Sequence, residues 1–148
     1  MSNAVPFETT LRVRDTCLCL HAQRAARALA RRFDEALRPV GLTNQQFSLL
    51  MALNRPEPPP MAPVAALLAM DRTTLTAALK PLERRGLVRI EPSPTDARAR
   101  VLALTTAGSK TLAAAVPIWR KTHAAVEKRL VGLDPDALHT ALVQLAAI

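Results

Sequence analysis

The chain has no tyrosine, one tryptophan, three phenylalanines, two cysteines and four glycines among its 148 residues. Each shortage excludes something. Two cysteines, Cys17 and Cys19, cannot supply the four ligands of a zinc finger, and no other residues have metal-ligand spacing. On a helix the two thiols do not share a face, so a bond between them is not expected. There is no Gly-rich phosphate loop and no Ser or Cys in a catalytic motif, and the histidines, His21, His123 and His139, lie far apart in sequence. Neither an enzyme nor a bound cofactor or metal is expected. No apolar run approaches the ~20 residues that span a bilayer. The start, "MSNAVPFETT", lacks the basic end and apolar stretch of a signal peptide. The chain is expected to be cytoplasmic, with reduced thiols and no membrane partner. Acid is scarce too: 12 Asp and Glu stand against 20 Lys and Arg, a formal net charge of +8.

What the chain does have is apolar residues, 49 % of the total, most of them Ala and Leu, a mixture that favours helix. The length fits one domain with a core, or a compact core plus a dimerisation surface. A positive field attracts nucleic acid, anionic membrane or acidic partners, although a solvated arginine surface with no partner has the same composition.

The pattern of apolar residues predicts mostly helices. One long helix is expected from about Thr10 to Leu37, with Leu18, Ala22, Ala25, Leu29, Phe33 and Ala36 on one face. Arg24, Arg27, Arg31 and Arg38 lie off that face, and Arg31 is within reach of Asp34 or Glu35. Its length and small residues suit dimerisation. "GLTNQQFSLLMAL" starts the next helix with a capping box, Thr43 and Gln46, and a hydrophobic staple, Leu42 and Phe47. Leu50, Met51 and Leu53 continue its buried side, and "NRPEPPP" ends it. In "APVAALLAM", Val64, Leu67 and Leu68 form one face. After a short turn at Met70, Asp71 caps "RTTLTAALKPLERRG". Leu75, Ala78, Leu79 and Leu82 form its inner stripe, Pro81 should kink the last turn, and Gly86 stops it. "LVRI" and "RVLAL" are short β-prone runs flanking the polar tip "EPSPTDARA", a hairpin with a long loop. Thr105 or Thr106 caps a further helix, on which Leu112, Val116, Trp119, His123, Val126 and Leu130 share a face and which Pro117 should bend. A last helix follows Asp134 and Pro135, with Leu138, Leu142 and Leu145 inside.

Two short helices joined by a tight turn make a helix-turn-helix, and the hairpin after them is a wing. The second helix turns Arg72, Thr73, Thr76, Ala77 and Lys80 away from its apolar stripe. That front suits the major groove: Arg reads guanine edges, Thr methyls meet thymine methyls, and hydroxyls hold phosphates. An ordinary amphipathic helix with a solvated polar face is the alternative. Arg98 and Arg100 on the hairpin tip can reach a minor groove, where the potential is most negative. Asp96 can pair with Arg98 and orient its fork.

The stretches "LTNQQFSLLMAL", "DRTTLTAALKPLERRGLVRI" and "DARARVLALTTAG" resemble the MarR-type winged helix-turn-helix regulators over essentially the whole chain. The last contains the family's wing pattern, D-x-R followed by a strand ending Leu-Thr and then a Gly, here Asp96, Arg98, Leu104, Thr105 and Gly108. The resemblance implies a mainly α fold with a small β-hairpin wing. Residues 1–42 would be an N-terminal dimerisation helix, 43–106 the DNA-binding region and 107–148 the C-terminal dimerisation helices, all in one compact domain. It implies a homodimer on double-stranded DNA with a pseudo-palindromic operator, usually as a repressor that an effector releases. The expected DNA contacts are Arg72, Thr73, Thr74, Thr76, Lys80, Asp96, Arg98 and Arg100, with Arg98 as the minor-groove arginine and Asp96 its orienter.

Two switches are common in such regulators. One is a small aromatic or anionic ligand between dimer helices and reading head, for which His21, Phe47, Met51 and Trp119 are candidate contacts, each of them equally at home in a plain core. The other is oxidation of a thiol. "RDTCLCLHAQRAARAL" resembles the first helix of the organic-hydroperoxide-sensing branch, where an Asp precedes the sensing Cys by four residues, as Asp15 precedes Cys19. That branch also uses tyrosines to hold the thiolate, and this chain has none. A peroxide-sensing regulator using Cys19, with Cys17 beside it, is the alternative function. Two small apolar core residues are the plainer reading.

Overall fold

The computed structural model describes residues 4–147; residues 1–3, the very start of the N-terminal segment, and residue 148 lie outside the described residues. Helix α1 (Phe7–Thr16) leads into α2 (Leu18–Leu37) and a single 3-10 turn (Arg38–Val40). Then come α3 (Asn44–Leu53), α4 (Met61–Leu67), α5 (Arg72–Arg84), strands β1 (Val88–Pro92) and β2 (Arg100–Leu104), α6 (Thr106–Glu127) and α7 (Pro135–Ala146). The architecture is the expected one, mainly α with a two-stranded antiparallel hairpin.

The first expected helix is two. Cys17 is extended, with φ −69° and ψ 111°, and interrupts it. The residue leaves α1 while still donating its N–H to Val13, then caps α2 by accepting the Leu20 N–H on Sγ at 3.4 Å. His21 Nε2 bridges the break, donating to the Arg14 carbonyl at 2.6 Å. The predicted apolar face of α2 is also largely uncovered: Leu18 is 71 % exposed and Leu29 40 %. Only Leu37 of this helix is fully buried. Among the described residues Arg31 pairs with neither Asp34 nor Glu35; the Asp34 carboxylate instead accepts two bonds from Asn44, one from the backbone N–H at 2.7 Å and one from Nδ2 at 2.8 Å. That carboxylate ties the end of α2 to the first turn of α3.

The core sits in the middle of the chain. Leu37, Leu42, Leu49, Leu50, Leu75, Leu79, Leu82, Leu102 and Leu112 meet there, with Val64, Val88 and Ala115. Both residues of the α3 capping box bond as expected, and Leu42 and Phe47 are buried. Met51 and Leu67 are not inside: they are 42 % and 64 % exposed. Neither is among the buried residues of its helix, which include Leu50 and Leu53 on α3 and Val64 on α4. Pro81 and Pro117 are accommodated within α5 and α6, which continue as helix past both.

The hairpin pairs Val88 with Leu104 through to Pro92 with Arg100. Its outer edge is covered by the proline run. Leu102 donates to the Pro59 carbonyl at 2.8 Å, and Pro60 forms a bridge with Val101. A proline segment has few N–H groups to offer a further strand, so it ends the sheet. Gly108 lies where α6 crosses the hairpin's start, and a Cβ there would fall on the Leu87 carbonyl. That close approach explains the glycine after the wing. Helix α6 ends at Glu127, so Leu130 falls beyond it. Helix α7 starts at its predicted Asp134 cap but buries no residue: Leu142 is 50 % exposed and Leu145 43 %. No described helix is long and apolar enough to cross a membrane.

Candidate nucleic-acid interface

Helix α5 has two unlike faces. Leu75, Leu79 and Leu82 are fully buried on one. Arg72, Thr73, Thr74, Thr76 and Lys80 are all exposed. The Asp71 carboxylate accepts the Thr74 N–H at 2.7 Å and fixes the helix start. Those bonds from the Thr74 backbone and side chain hold the Asp71 carboxyl below its usual range. Thr76 donates its hydroxyl to the Arg72 carbonyl at 2.8 Å, which leaves its methyl as the free group of that side chain. No ion pair among the described residues involves Arg72, Lys80, Arg98 or Arg100. Four cationic groups therefore stand in solvent without an acid to neutralise them.

The wing tip is more ordered than its composition suggests. Ser93 donates its N–H to Ala99 at 2.9 Å, and Ala99 donates to Asp96 at 3.1 Å. Asp96 does not grip the Arg98 guanidinium. Its Oδ1 accepts the Arg98 backbone N–H at 3.0 Å, an Asx turn two residues long. The carboxylate shapes the backbone and leaves the guanidinium free. Arg100 opens β2 opposite Pro92, at the base of the tip.

These features have close parallels. A family model described as MarR family matches residues 40–99. The transcriptional regulator HosA of Escherichia coli O111:H- is 40 % identical over 96 residues, covering 64 % of this chain and 70 % of that protein. Other curated relatives are matched over about half of their length, 51 % in one case. The M. tuberculosis regulator MosR in complex with DNA is 39 % identical, with a TM-score of 0.80 over 89 % of this chain and 95 % of that one. The repressor CouR bound to a 23-mer DNA duplex is 32 % identical, with a TM-score of 0.78 over 91 % and 95 %.

The chain belongs to the MarR family. It is a DNA-binding transcriptional regulator with a winged-helix fold, and the family is one of regulators rather than enzymes.

The four predicted effector contacts separate in this MarR-family chain. Phe47, Met51 and Trp119 meet in one cleft of about 870 Å³, walled by α3, α4 and α6 and reached by α7. Leu67, the other residue wrongly expected inside, also lines it. Sequence reasoning missed Arg120, which brings the cleft a cation, and His139, which brings it an imidazole. Nothing in the spacing of α7 could have placed His139 there. Phe47 and Trp119 also back a smaller cleft of about 310 Å³ on the α2 side. The wall between them is an aromatic stack: Phe47 to Trp119 at 6.2 Å, Trp119 to His123 at 4.7 Å. His123 in turn meets Glu127 at 2.9 Å. His21 is in neither cleft; it lies on the opposite side of α2, beside Arg24, Arg27 and Arg31.

The thiols are separate too. Cys17 caps α2, and the exposed Cys19 accepts from Gln23 Nε2 at 3.1 Å. Asp15 pairs with its neighbour Arg14 at 2.7 Å rather than with a thiol. A group of three or more residues able to hold a metal is absent among the described residues.

Proposed function

We propose that the chain is a homodimeric repressor that binds a pseudo-palindromic operator and is released by a small organic anion. The observation carrying the DNA part is the front of α5, five exposed polar residues with unpaired Arg72 and Lys80, over a back of three buried leucines. In this reading Arg72 reads a base edge, Thr76 offers its methyl, Thr73, Thr74 and Lys80 meet phosphates, and Arg98 enters the minor groove. Asp96 holds the wing backbone that presents Arg98. Arg100 sits at the wing base as a phosphate contact.

The dimer is supported by where apolar surface is left uncovered. Phe7 is 73 % exposed, Leu18 71 % and Val143 56 %, and all three belong to the terminal helices. A partner copy would cover them, so that residues 1–42 and 107–148 join two reading regions, residues 43–106. Two-fold symmetry in the protein then asks for two-fold symmetry in the operator. MosR in complex with DNA and CouR bound to a 23-mer duplex support the DNA-binding part of this reading.

The anion is supported by the larger cleft. It offers Phe47, Met51 and Trp119 to a ring, and Arg120 and His139 to a charge, with no acidic residue in its lining. A ligand there would sit between α4, the first helix of the helix-turn-helix, and α7, so filling it would shift one against the other.

The test is operator binding by fluorescence anisotropy on duplexes selected from random sequence. Affinity should fall steeply as salt rises, because phosphates are being neutralised. Arg98→Ala should weaken binding by about 1–3 kcal/mol, and Arg72→Ala should flatten discrimination at one base pair. Unchanged affinity in Arg98→Ala sinks its minor-groove role. The effector reading has its own readout, since Trp119 is the sole tryptophan. Monocyclic aromatic carboxylates should quench its emission saturably, and Arg120→Ala should weaken that response. Flat titrations across the whole panel would remove the anionic ligand from the scheme.

A further inference from the structure

Two consecutive residues just past the recognition helix tie it to both long helices. Arg85 donates from Nη1 to the Gly41 carbonyl at 2.8 Å. Gly41 closes the turn that carries the end of α2 into α3, with φ 71°. The Gly86 carbonyl accepts a 2.6 Å bond from the Thr105 hydroxyl, and Thr105 caps α6. The C-terminal end of α5 is thus bonded to the end of one long helix and the start of another. No such tie holds the rest of α5: among the described residues, its remaining side-chain bonds are Asp71 with Thr74 and Thr76 with Arg72, both local.

We propose that Arg85 is a positioning residue for DNA reading: its bond to Gly41 sets the angle of α5 against α2 and α3. The buried stripe of Leu75, Leu79 and Leu82 anchors α5 but is non-directional, and apolar packing alone leaves a helix some freedom to tilt. A hydrogen bond from a planar guanidinium is directional. The guanidinium also lies close against the turn: a Cβ at Gly41 would stand 3.0 Å from Arg85 Nη2. Lever length magnifies the effect. Thirteen residues of helix extend about 20 Å, so a tilt of about 5° at Arg85 moves Arg72 by about 2 Å. In the proposed dimer this displacement occurs in both copies with opposite sense, and it changes the separation of the two reading fronts. The same turn leads into α3, whose Phe47, Ser48 and Met51 line the larger cleft. Arg85 therefore bonds to the turn from which this wall of the cleft begins.

The inference rests on the dimeric operator reading, and the experiment separates the two. Operators selected by the wild type are remade with one base pair inserted or removed between half-sites. Binding of wild type, Arg85→Gln and Arg85→Lys is measured on each, at several salt concentrations. The wild type should lose about tenfold or more in affinity on the altered spacings. Arg85→Gln should lose most of that discrimination while keeping the wild-type salt slope, and Arg85→Lys should recover part of it. Because Arg85 is exposed, thermal unfolding should barely change. A spacing-sensitive Arg85→Gln overturns the proposal alone. A salt slope reduced by about one overturns it in favour of a direct phosphate contact. A wild type indifferent to spacing overturns the dimeric reading and this proposal together.

Discussion

The middle of the chain and its ends are made of the same alanine- and leucine-rich material, and they meet opposite fates. Among the described residues, every fully buried one lies between Leu37 and Ala115. Helices α1 and α7 bury none, although both carry apolar residues at helical spacing. The difference is one of supply. In the middle, α3, α4, α5, α6 and the hairpin present their stripes to each other. At the ends, the stripes outnumber the surfaces within one copy that can cover them. An apolar stripe records a need for cover and says nothing of who provides it.

The sharpest way to break that comparison is to cut one leucine from each region. Leu79→Ala opens a cavity in a fully buried site and should cost about 2–5 kcal/mol at any protein concentration. Leu142→Ala, at a side chain 50 % exposed, should leave the unfolding of a dilute sample within about 0.5 kcal/mol of wild type. Its effect should appear in sedimentation, as a weaker self-association, and in a melting temperature that depends more on concentration. Equal, concentration-independent losses in the two variants would mean that the ends are core after all.

The same contrast explains what the sequence disclosed. Signals carried by a few neighbouring residues were legible: the Thr43–Gln46 box, the Asp71 cap, a threonine cap at 105 or 106, the Gly86 stop and the existence of the hairpin all follow from local chemistry. So did the exposed front of α5, because its back was marked by three leucines. Signals that depend on what lies across space were not. Met51 and Leu67 fit an apolar face, and only the placement of α6 and α7 makes them cleft walls. The expected grip of Asp96 on the Arg98 guanidinium is not made; the carboxylate takes the Arg98 backbone N–H instead, and side-chain reach alone does not distinguish the two partners. The break at Cys17 had no proline or glycine to announce it. The tie made by Arg85 had no local signal, since its partner Gly41 is 44 residues away.

The joint between the two regions supplies the smallest effect and the finest test. Asp34, near the end of α2, accepts the backbone N–H and the Nδ2 of Asn44 at the start of α3. Those bonds, the backbone one foremost, hold its carboxyl below the usual range, with a slight opposing push from burial. A carboxyl lowered by folding stabilises the folded state fully above its unfolded pKa, about 3.9. The contribution disappears as pH falls through the lower folded value. Asp34→Asn removes the charge that those two donors favour, so it should lower stability by a constant amount from neutrality down to about pH 5. Below that the gap should close, because the wild-type carboxyl itself becomes neutral. Urea midpoints for both proteins across this range give the answer. A gap that stays open at the acid end would show that the Asp34 charge is not what joins α2 to α3. A gap that closes would place a titratable bond where the terminal helices meet the reading head.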